Sequence, residues 1–395
     1  MPVTKTGKGE DDTMRIAMIG HKKVPSRLGG VEIHVEELGA RLAALGHEVD
    51  LYNRAINGVD GTTYKGMNIF YVKSMKIPGF AALTYSFRAA LKTSFMDYDI
   101  IHFHALGPSA AGIIPRILGK KVVSTVHGLD WQRAKWKKAG VRFLKVGEWV
   151  TGRFFNRVIV VSKPLTEYFR RKYDQKERFV YIPNGITTEG SKTGEERKQE
   201  AEHISRTYKI LPGNYYLFVS RLVREKACHM MIKAFIRTKT QKKLIIAGDN
   251  PEDQNYVKEL QMMSEADPRI MMVGFKDIEE LHKLYDHTFC YILPSEIEGL
   301  PISLLEAMSH GCYCLTSDID ENKEVLQGFG KTFHTKDVES LQSALEEIEI
   351  ETHSITEAYG QGETGRQQSD YIINTYNWNE VAEQTESLYK SLLKR

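Results

Sequence analysis

The chain lacks several features that would mark other classes of protein. Its 395 residues include only four cysteines: Cys228 and Cys290 stand alone, while Cys312 and Cys314 lie too close for an easy disulfide and have no second ligand pair for zinc. No apolar run approaches the roughly 18 residues of a membrane span, and the start MPVTKTGKGEDDT has no apolar core of a signal peptide. We therefore expect reduced thiols and a cytoplasmic protein.

Two ligand-binding motifs are missing as well. The full G-x-G-x-x-G dinucleotide fingerprint is absent, which argues against a nicotinamide enzyme. Asp97-Tyr-Asp99 precedes a predicted strand and Asp318-Ile-Asp320 follows one, so neither is a convincing D-x-D metal site. We expect no metal ligands and no cofactor.

The small net charge of +3 conceals two electrically opposite halves. Residues 1–187 carry 30 Lys and Arg against 16 Asp and Glu, a charge of +14, whereas residues 188–395 carry 24 against 35, a charge of −11. A basic half of this kind suits a polyanion or an anionic membrane. On charge alone, nucleic acid also stays open.

Short apolar runs alternate with amphipathic segments along the whole chain, and this alternation predicts βαβ units around parallel sheets. The length favours two domains. We expect a disordered tail over 1–13, a first domain over 14–187, a polar linker or surface helix over 188–207 and a second domain over 208–377. Ligands of doubly wound domains bind beyond the carboxyl ends of the strands, so the cleft between two of them is the expected site. The predicted strands are 14–20, 47–53, 99–105, 121–127, 157–162, 215–220, 243–249, 270–275, 290–294 and 312–318.

The loop after the first predicted strand ends in Gly29-Gly30 and opens a helix. Paired glycines let a ligand approach the backbone, and the helix N-terminus behind them offers free N–H groups to an anion. A plain tight turn would give the same pattern.

In the second domain, Arg221 follows a strand and Lys226 comes five residues later, where two cations can hold a diphosphate. Glu298 lies in a loop after the strand CYILP, and Glu306 lies in the helix ISLLEAMSHG, where carboxylates can accept hydrogen bonds from hydroxyl groups. The N–H groups of Gly299 and Leu300 can donate to the same ligand. Hydroxyls together with a diphosphate describe a nucleotide sugar, although each of these residues alone also fits an ordinary surface position.

The string E-G-L-P-x-S-L-L-E-A-M-x-x-G, with Glu298 and Glu306 as its E-x7-E pair, resembles the donor-site signature of the retaining GT-B glycosyltransferases of family 4. Other family pieces follow in family order: Gly29-Gly30, T-V-H-G at 125–128, V-V-S at 160–162, I-P-N-G-I at 182–186, S-R-L-x-x-E-K at 220–226, A-G-D at 247–249 and V-G-F at 273–275. The resemblance implies two Rossmann-like doubly wound domains facing a cleft. It also implies a closing helix, about 378–395, that crosses back to the first domain.

The resemblance implies a role for each matching residue. Glu306 would bind the nucleotide ribose and Glu298 a hydroxyl of the donor sugar. Arg221 and Lys226 would bind the diphosphate without a metal. The remaining contacts would come from the backbone of Gly274 and Phe275 at the base, from Gly29-Gly30 at the phosphates or the acceptor, and from His127 at the sugar's outer edge. His102 and His104 are interpreted as mainly structural.

The segment HKKVPSRLGGVEIHVEELGARL is similar to a bacterial subgroup that includes rhamnosyltransferases of surface polysaccharide synthesis, which implies a TDP-rhamnose donor and a polyprenyl-diphosphate-linked acceptor. The alternatives are a hexosyltransferase using a UDP or GDP donor, a non-catalytic nucleotide-sugar sensor and a nucleotide-sugar epimerase.

Residues 131–157 contain eight cations, the single acid Glu148 and six interleaved aromatic residues. This composition predicts docking on an anionic membrane, on the inner face of the cell membrane, rather than binding of nucleic acid. A solvated basic face over core aromatics is the other interpretation. The cations are Arg133, Lys135, Lys137, Lys138, Arg142, Lys145, Arg153 and Arg157, and the aromatic residues are Trp131, Trp136, Phe143, Trp149, Phe154 and Phe155.

Overall fold

A computed structural model describes residues 13–26, 29–55, 61–75, 80–133, 136–187, 190 and 192–394. The chain divides into two compact units, which we call unit 1 (Met1–Gly185 with Asn377–Arg395) and unit 2 (Ile186–Tyr376). Both are α/β units built on sheets of mainly parallel strands, so the predicted fold class is confirmed. Almost all of the predicted tail lies outside the described residues.

The sheet of unit 1 is assembled from short runs of buried aliphatic residues. Its described strands lie in the order β3-β4-β2-β1-β5-β6-β7-β8, and all neighbours are parallel except β3 and β4. The strands are β1 Arg15–Ile19, β2 Glu48–Ala55, β3 Thr62–Tyr64, β4 Met67–Lys73, β5 Ile100–His104, β6 Val122–Val126, β7 Arg157–Val160 and β8 Phe179–Tyr181. The helices are α1 Gly30–Ala44, α2 Phe80–Ser94, α3 Leu106–Ser109, α4 Ile113–Ile117, α5 Lys138–Phe154, α6 Lys163–Tyr173 and α16 Trp378–Leu393.

The C-terminal helix α16 belongs to unit 1, as the sequence predicted. Trp378 is buried with α1 and the sheet in one apolar cluster. Polar contacts add to this packing, because Arg41 Nε donates to Asn379 Oδ1 at 2.9 Å and His47 Nε2 lies 2.9 Å from Glu386 Oε1. A helix from the end of the chain therefore packs against α1 and the first sheet.

Unit 2 has the strand order β11-β10-β9-β12-β13-β14 in its described residues, and every neighbouring pair is parallel. The strands are β9 Tyr215–Val219, β10 Lys243–Ala247, β11 Ile270–Gly274, β12 Cys290–Leu293, β13 Cys314–Ser317 and β14 Gly330–Phe333. The helices are α7 Gly194–Tyr208, α8 Cys228–Arg237, α9 Gln254–Ser264, α10 Ile278–Asp286, α11 Ile302–Ser309, α12 Asp320–Leu326, α13 Val338–Ile350, α14 Thr352–Ala358 and α15 Glu363–Thr375. The order reverses between β9 and β12, where a doubly wound sheet binds ligands.

Several elements were not predicted. Strands β3, β4, β8 and β14 are additions to the predicted set. The polar segment 188–207, predicted as a linker or a surface helix, contains most of α7. Thr193 starts that helix with a capping box, in which its side chain accepts from the N–H of Glu196 while the Glu196 carboxylate accepts from the N–H of Thr193.

Candidate functional site

The carboxyl ends of the unit 2 strands converge on one edge of the sheet. Gly248 N donates to Gly274 O at 2.8 Å and so joins the ends of β10 and β11. Glu296 N donates to Glu225 O at 2.8 Å, which draws the loop after β12 onto the loop after β9. The predicted donor-site residues of unit 2 therefore come from neighbouring loops.

Gly248 shows how closely these loops approach. Its φ is +151°, and a Cβ built there would lie 1.9 Å from the backbone oxygen of Ser220. Because that neighbour is backbone, it cannot move aside as a flexible side chain would. The contact between the loops after β9 and β10 therefore depends on a glycine at this position.

Lys226 and Glu298 form an ion pair through Lys226 Nζ and Glu298 Oε1. The Lys226 side chain is 20% exposed and the Glu298 side chain 7%. Within the part of the chain that the structure describes, the half-buried guanidinium of Arg221 has no ion-pair or hydrogen-bond partner. Of the two predicted diphosphate ligands, Lys226 is therefore paired with a nearly buried carboxylate and Arg221 is unpaired among the described residues.

Glu306 lies on the half-buried face of α11, opposite the core residues Leu304, Leu305 and Met308. Tyr285 Oη donates to Glu306 Oε2 at 3.3 Å, and Tyr291 Oη donates to Ser303 Oγ at 2.8 Å. Burial, together with the charges of Glu298 and Glu306, raises the pKa of Tyr291 well above its ordinary value. One buried tyrosine hydroxyl thus contacts Glu306, and a second contacts the helix that carries Glu306.

Sequence reasoning missed Tyr285 and Tyr291. The Tyr285 ring stacks on His310 with ring centroids 5.5 Å apart, and His310 Nδ1 lies 2.6 Å from Asp286 Oδ1. Although burial alone would raise the pKa of Asp286, its contacts with His310 and Lys192 hold that pKa below the usual range. These contacts orient the tyrosine that reaches Glu306. A polar atom on an otherwise apolar strand or helix face is the signal that could have identified both tyrosines.

The remaining predicted positions in unit 2 offer backbone groups. Gly299 and Leu300 are buried, and their N–H groups make no backbone hydrogen bond within the described residues. Gly274 ends β11 with φ +72°, and the Phe275 side chain is 51% exposed. The edge therefore presents N–H donors at the loop after β12 and an open aromatic ring beside β11.

In unit 1, Gly29 precedes α1 and Gly30 is its first residue, so the pair lies at the helix N-terminus that the sequence predicted. Glu32 occupies the first turn, and one of its oxygens would lie 2.5 Å from a Cβ at Gly29. The other oxygen accepts from Lys22 N at 3.1 Å. Because a carboxylate already faces this terminus, an anionic ligand there has to displace it.

His127 follows β6 and belongs to a group of histidines that sequence reasoning did not bring together. His127 Nε2 lies 3.5 Å from His104 Nδ1, and its ring packs edge-on against His34 at 4.7 Å. His34 Nδ1 contacts Asn184 Oδ1 at 2.8 Å, while its Nε2 is buried without a partner among the described residues. The ligand atoms of His34, His104 and His127 all lie within 4.8 Å of one another, so these three side chains could hold a metal ion.

Burial sets the protonation of this group. It lowers the pKa of His34 to about 4, and it lowers those of His104 and His127 well below the ordinary value, with further lowering from the neighbouring histidines. All three imidazoles are therefore neutral near pH 7. His102, interpreted as structural, lies 2.6 Å from Tyr389 Oη and 2.8 Å from Thr125 Oγ1, so it ties α16 to the sheet.

The basic and aromatic segment 131–157 forms the turn Asp130–Gln132, helix α5 and the start of β7. Trp149 is 51% exposed and packs edge-on against the partly exposed Phe154 at 5.1 Å. Phe155 is a core residue at 1% exposure, so its inclusion among the interleaved surface aromatics was wrong. Lys135 lies outside the described residues.

Glu148, the single acid of the segment, does not face solvent. It is 1% exposed, accepts from Trp131 Nε1 at 2.6 Å and pairs with Lys172. Tyr168 and Tyr173 donate to its other oxygen at 3.1 and 3.2 Å. The exposed face of α5 is therefore basic without an acidic counterpart from this helix.

Two family models match the chain in succession, "Glycosyltransferase Family 4" over residues 28–189 and "Glycosyl transferases group 1" over residues 200–368. The chain is a glycosyltransferase.

Curated relatives agree with this assignment. An uncharacterized glycosyltransferase of Methanocaldococcus jannaschii is 24% identical over 95% of this chain and 98% of its own length. The gpi3 subunit of phosphatidylinositol N-acetylglucosaminyltransferase of Schizosaccharomyces pombe is 24% identical over 92% of this chain and 78% of its own. Alpha-maltose-1-phosphate synthase of Mycobacterium tuberculosis is 26% identical over 96% of this chain and 100% of its own.

Solved structures show that the glycosyltransferase has the GT-B fold. Sucrose-phosphate synthase of Thermosynechococcus elongatus superposes with a TM-score of 0.77 at 21% identity, covering 96% of this chain and 99% of that chain. HepE of Anabaena, solved in complex with UDP-glucose, gives 0.76 at 17% identity, with 96% and 100% covered. Among the described residues, no helix has the length and apolar character needed to cross a bilayer.

Proposed function

We propose that this glycosyltransferase moves a sugar from a nucleotide-sugar donor to a lipid-linked saccharide acceptor with retention of anomeric configuration. The observation that carries the proposal is the edge of unit 2, where the loop after β9 carries Arg221 and Lys226 and Lys226 pairs with Glu298 of the loop after β12. The helix that follows this second loop carries Glu306. Cations and carboxylates on one edge match the phosphates and hydroxyls of one ligand.

The diphosphate would be bound by Arg221 and Lys226. Arg221 has no partner among the described residues, so its planar fork is available to phosphate oxygens. Lys226 already neutralises Glu298, and a phosphate would share its ammonium. As the bond between sugar and phosphate breaks, negative charge grows on the leaving group, and fixed cations stabilise it without reorganisation.

The hydroxyl groups of the donor would be bound by the two glutamates. Glu306, contacted by Tyr285, would accept from the ribose, and Glu298 would accept from the sugar. The N–H groups of Gly299 and Leu300 would donate to the ligand, and the exposed backbone at Gly274 and Phe275 would meet the base.

His127 is the proposed hydroxyl partner in unit 1. Its half-buried, neutral imidazole can both donate and accept a hydrogen bond, so it can bind a sugar hydroxyl or the reacting centre. Retention fits a displacement on the same face of the sugar, in which the departing phosphate takes the acceptor proton. The role of the protein is then positioning and electrostatic stabilisation. Gly29-Gly30 would allow the phosphates or the acceptor to approach.

The donor sugar separates two candidates. TDP-rhamnose is supported by the N-terminal segment that resembles rhamnosyltransferases. A UDP-hexose is supported by the similarity in fold to HepE, which was solved with UDP-glucose. A GDP-hexose is the same alternative with a different nucleotide.

A panel of TDP-, UDP- and GDP-sugars should be compared by thermal shift and then by release of the nucleoside diphosphate with and without a polyprenyl-diphosphate-linked saccharide. We expect one donor to raise the melting temperature and to turn over only with the acceptor. Binding without turnover would instead indicate a sensor, and conversion of the donor sugar without an acceptor an epimerase.

We also propose that unit 1 docks on an anionic membrane, where a lipid-linked acceptor would be reached. Helix α4 packs between α2 and α5, and all three helices expose large apolar side chains beside cations. These side chains are Phe87 and Leu91 of α2, Phe95 directly after α2, Ile117 and Leu118 at the end of α4, and Val146, Trp149 and Phe154 of α5. Insertion of apolar groups between cations is how amphipathic surfaces bind anionic lipid, at about 1 kcal/mol for each basic residue.

Sedimentation with vesicles tests this docking. The wild type should bind vesicles that contain anionic lipid in a salt-sensitive manner, and binding should be lost when Lys135, Lys137 and Lys138 are changed to Glu. The matched control changes Lys198, Lys239 and Lys258, which are exposed residues of unit 2, to Glu and should bind as the wild type does. Equal sedimentation with anionic and neutral vesicles, or none at low salt, would refute membrane docking.

A further inference from the structure

A cavity of about 400 Å³ in unit 1 is lined by Arg116, Arg153 and Arg178. The other lining residues are Ile117, Phe154, Phe155 and Asn156. The cavity lies where the end of α4, the end of α5 and the turn before β8 meet. Three guanidinium groups around one concave site, without a carboxylate in the lining, form a site for an anion.

These arginines lack counter-charges. Within the described ranges, none of the three forms an ion pair, and Arg157, which follows the cavity residue Asn156, has none either. Burial and the positive charges of Arg116, Arg153 and Arg157 lower the pKa of Arg178. Since like charges this close repel, an anion between them would relieve the repulsion.

Two of the guanidiniums are held in place by the backbone at the end of α5. Arg116 Nε donates to Phe154 O at 2.9 Å, and Arg178 Nη1 donates to Gly152 O at 2.7 Å. Each of these bonds uses one of the five N–H donors of a guanidinium, and no other hydrogen bond of these side chains is present among the described residues. The remaining donors are available in a fixed orientation, which is the geometry that binds phosphate oxygens in pairs.

The cavity adjoins exposed apolar side chains. Ile117 is 76% exposed and Leu118 50%, and the partly exposed Phe154 lies in the lining itself. A free phosphate ion would gain nothing from these apolar neighbours. A phospholipid would use both parts of the site, with its phosphate on the arginines and its acyl region beside Ile117 and Leu118.

We propose that this arginine-lined cavity binds the phosphate of an anionic phospholipid headgroup and so fixes how unit 1 rests on the membrane. The proposal deepens the membrane docking inferred above and rests on it. Docking by Lys135, Lys137 and Lys138 needs only surface charge, whereas the cavity would hold the phosphate of one lipid at a defined position.

The test uses the full-length chain and a short-chain phosphatidylglycerol kept below its micelle concentration, so that single lipids are measured by calorimetry. The wild type should bind it with one site. Arg153→Gln should lower the affinity at least tenfold and, because Arg153 makes no hydrogen bond to any described residue, should unfold at the wild-type temperature. Arg116→Gln with Arg178→Gln should abolish binding. The matched control Arg171→Gln, which removes an exposed arginine paired with Glu167 on α6, should leave it unchanged.

The proposal would be overturned by the absence of saturable binding of the lipid monomer to the wild type, or by equal affinity in Arg153→Gln. Tighter binding of inorganic phosphate than of the lipid would also overturn it, by making free phosphate the ligand. Failure of the general docking is distinguishable, because the triple change of Lys135, Lys137 and Lys138 to Glu should abolish vesicle binding but retain the monomer site.

Discussion

Replacing Lys226 by Met removes the ammonium group from Glu298 while keeping the length of the side chain. Breaking a fully buried ion pair costs about 3–5 kcal/mol, and leaving a buried hydrogen-bonding group unpaired costs about 1–3 kcal/mol. Glu298 is only 7% exposed, but Lys226 is 20% exposed, so water can replace part of what the ammonium supplies. We therefore expect a loss of about 2 kcal/mol in the free energy of unfolding of unit 2, or a fall of roughly 4–8 °C in its melting temperature.

The same change should lower turnover for a different reason. If Lys226 stabilises charge on the leaving diphosphate, its removal should reduce the turnover number about a hundredfold, equivalent to about 2.7 kcal/mol in the activation barrier. Adding Glu298→Gln to Lys226→Met removes the stranded carboxylate, since replacing both partners of a buried pair by neutral groups is often close to neutral. The double variant should recover most of the melting temperature and none of the turnover.

Differential scanning calorimetry and release of nucleoside diphosphate measure the two effects separately. Two results would refute the reasoning. A single variant that melts with the wild type would show that the pair does not hold the loops together. A double variant that regains turnover would show that the lysine acts only by neutralising Glu298.

Three further predictions concern neighbouring groups. Glu306→Ala should weaken nucleotide binding by about 2–3 kcal/mol in calorimetry with little change in melting temperature, because Glu306 is only half-buried; unchanged affinity would contradict its assignment to the ribose. Addition of EDTA should not lower turnover, because two cations of unit 2 are proposed to hold the diphosphate; activity lost with chelator and restored by magnesium or manganese would contradict this. Burial, with the charges of Asp320, Glu298 and Glu324, raises the pKa of Glu321 to about 7, so the folded chain binds more protons than the unfolded chain between about pH 4.5 and 7. The free energy of unfolding contributed by this group should therefore fall as pH rises through that window, and a Glu321→Gln variant with an unchanged pH profile would contradict the assignment.

The central strands could be predicted from the sequence because burial on both faces leaves a clear trace. IIHFH in β5 and YYLFV in β9 are buried at every position, and such short apolar runs between turns predict parallel strands. β3 and β4 were missed for the opposite reason. In β4 buried residues are mixed with half-buried ones, and none of the three residues of β3 is buried. β3 is also the outermost strand of the sheet, where packing constrains composition least.

The residues of the candidate site in unit 2 could be predicted from the sequence, but the contacts between them could not. The motifs placed Arg221, Lys226 and Glu298 in loops at the carboxyl ends of strands and Glu306 in the helix that follows one of these loops, and the parallel register then brings the strand ends together. The Lys226–Glu298 ion pair joins positions 72 residues apart, and it depends on the backbone bond from Glu296 to Glu225, which no spacing rule provides. Tyr285 and Tyr291 were not predicted because the sequence pattern around each is that of an apolar core residue. Only the structure shows that the Tyr285 hydroxyl contacts Glu306 and the Tyr291 hydroxyl contacts Ser303.

The contacts among the histidines of unit 1 could not be predicted from the sequence. His102 and His104 alternate with apolar residues on β5, which made a structural interpretation reasonable. His102 does contact Tyr389, 287 positions away in the chain. The neighbourhood of His34, His104 and His127 could not be read in the same way, because these residues come from α1, β5 and the end of β6. Their approach depends on the strand order that puts β1 between β2 and β5 and so brings α1 over the end of the sheet. Pairing of distant strands, rather than any local pattern, therefore determines the surroundings of the one histidine that the sequence assigned to the reaction.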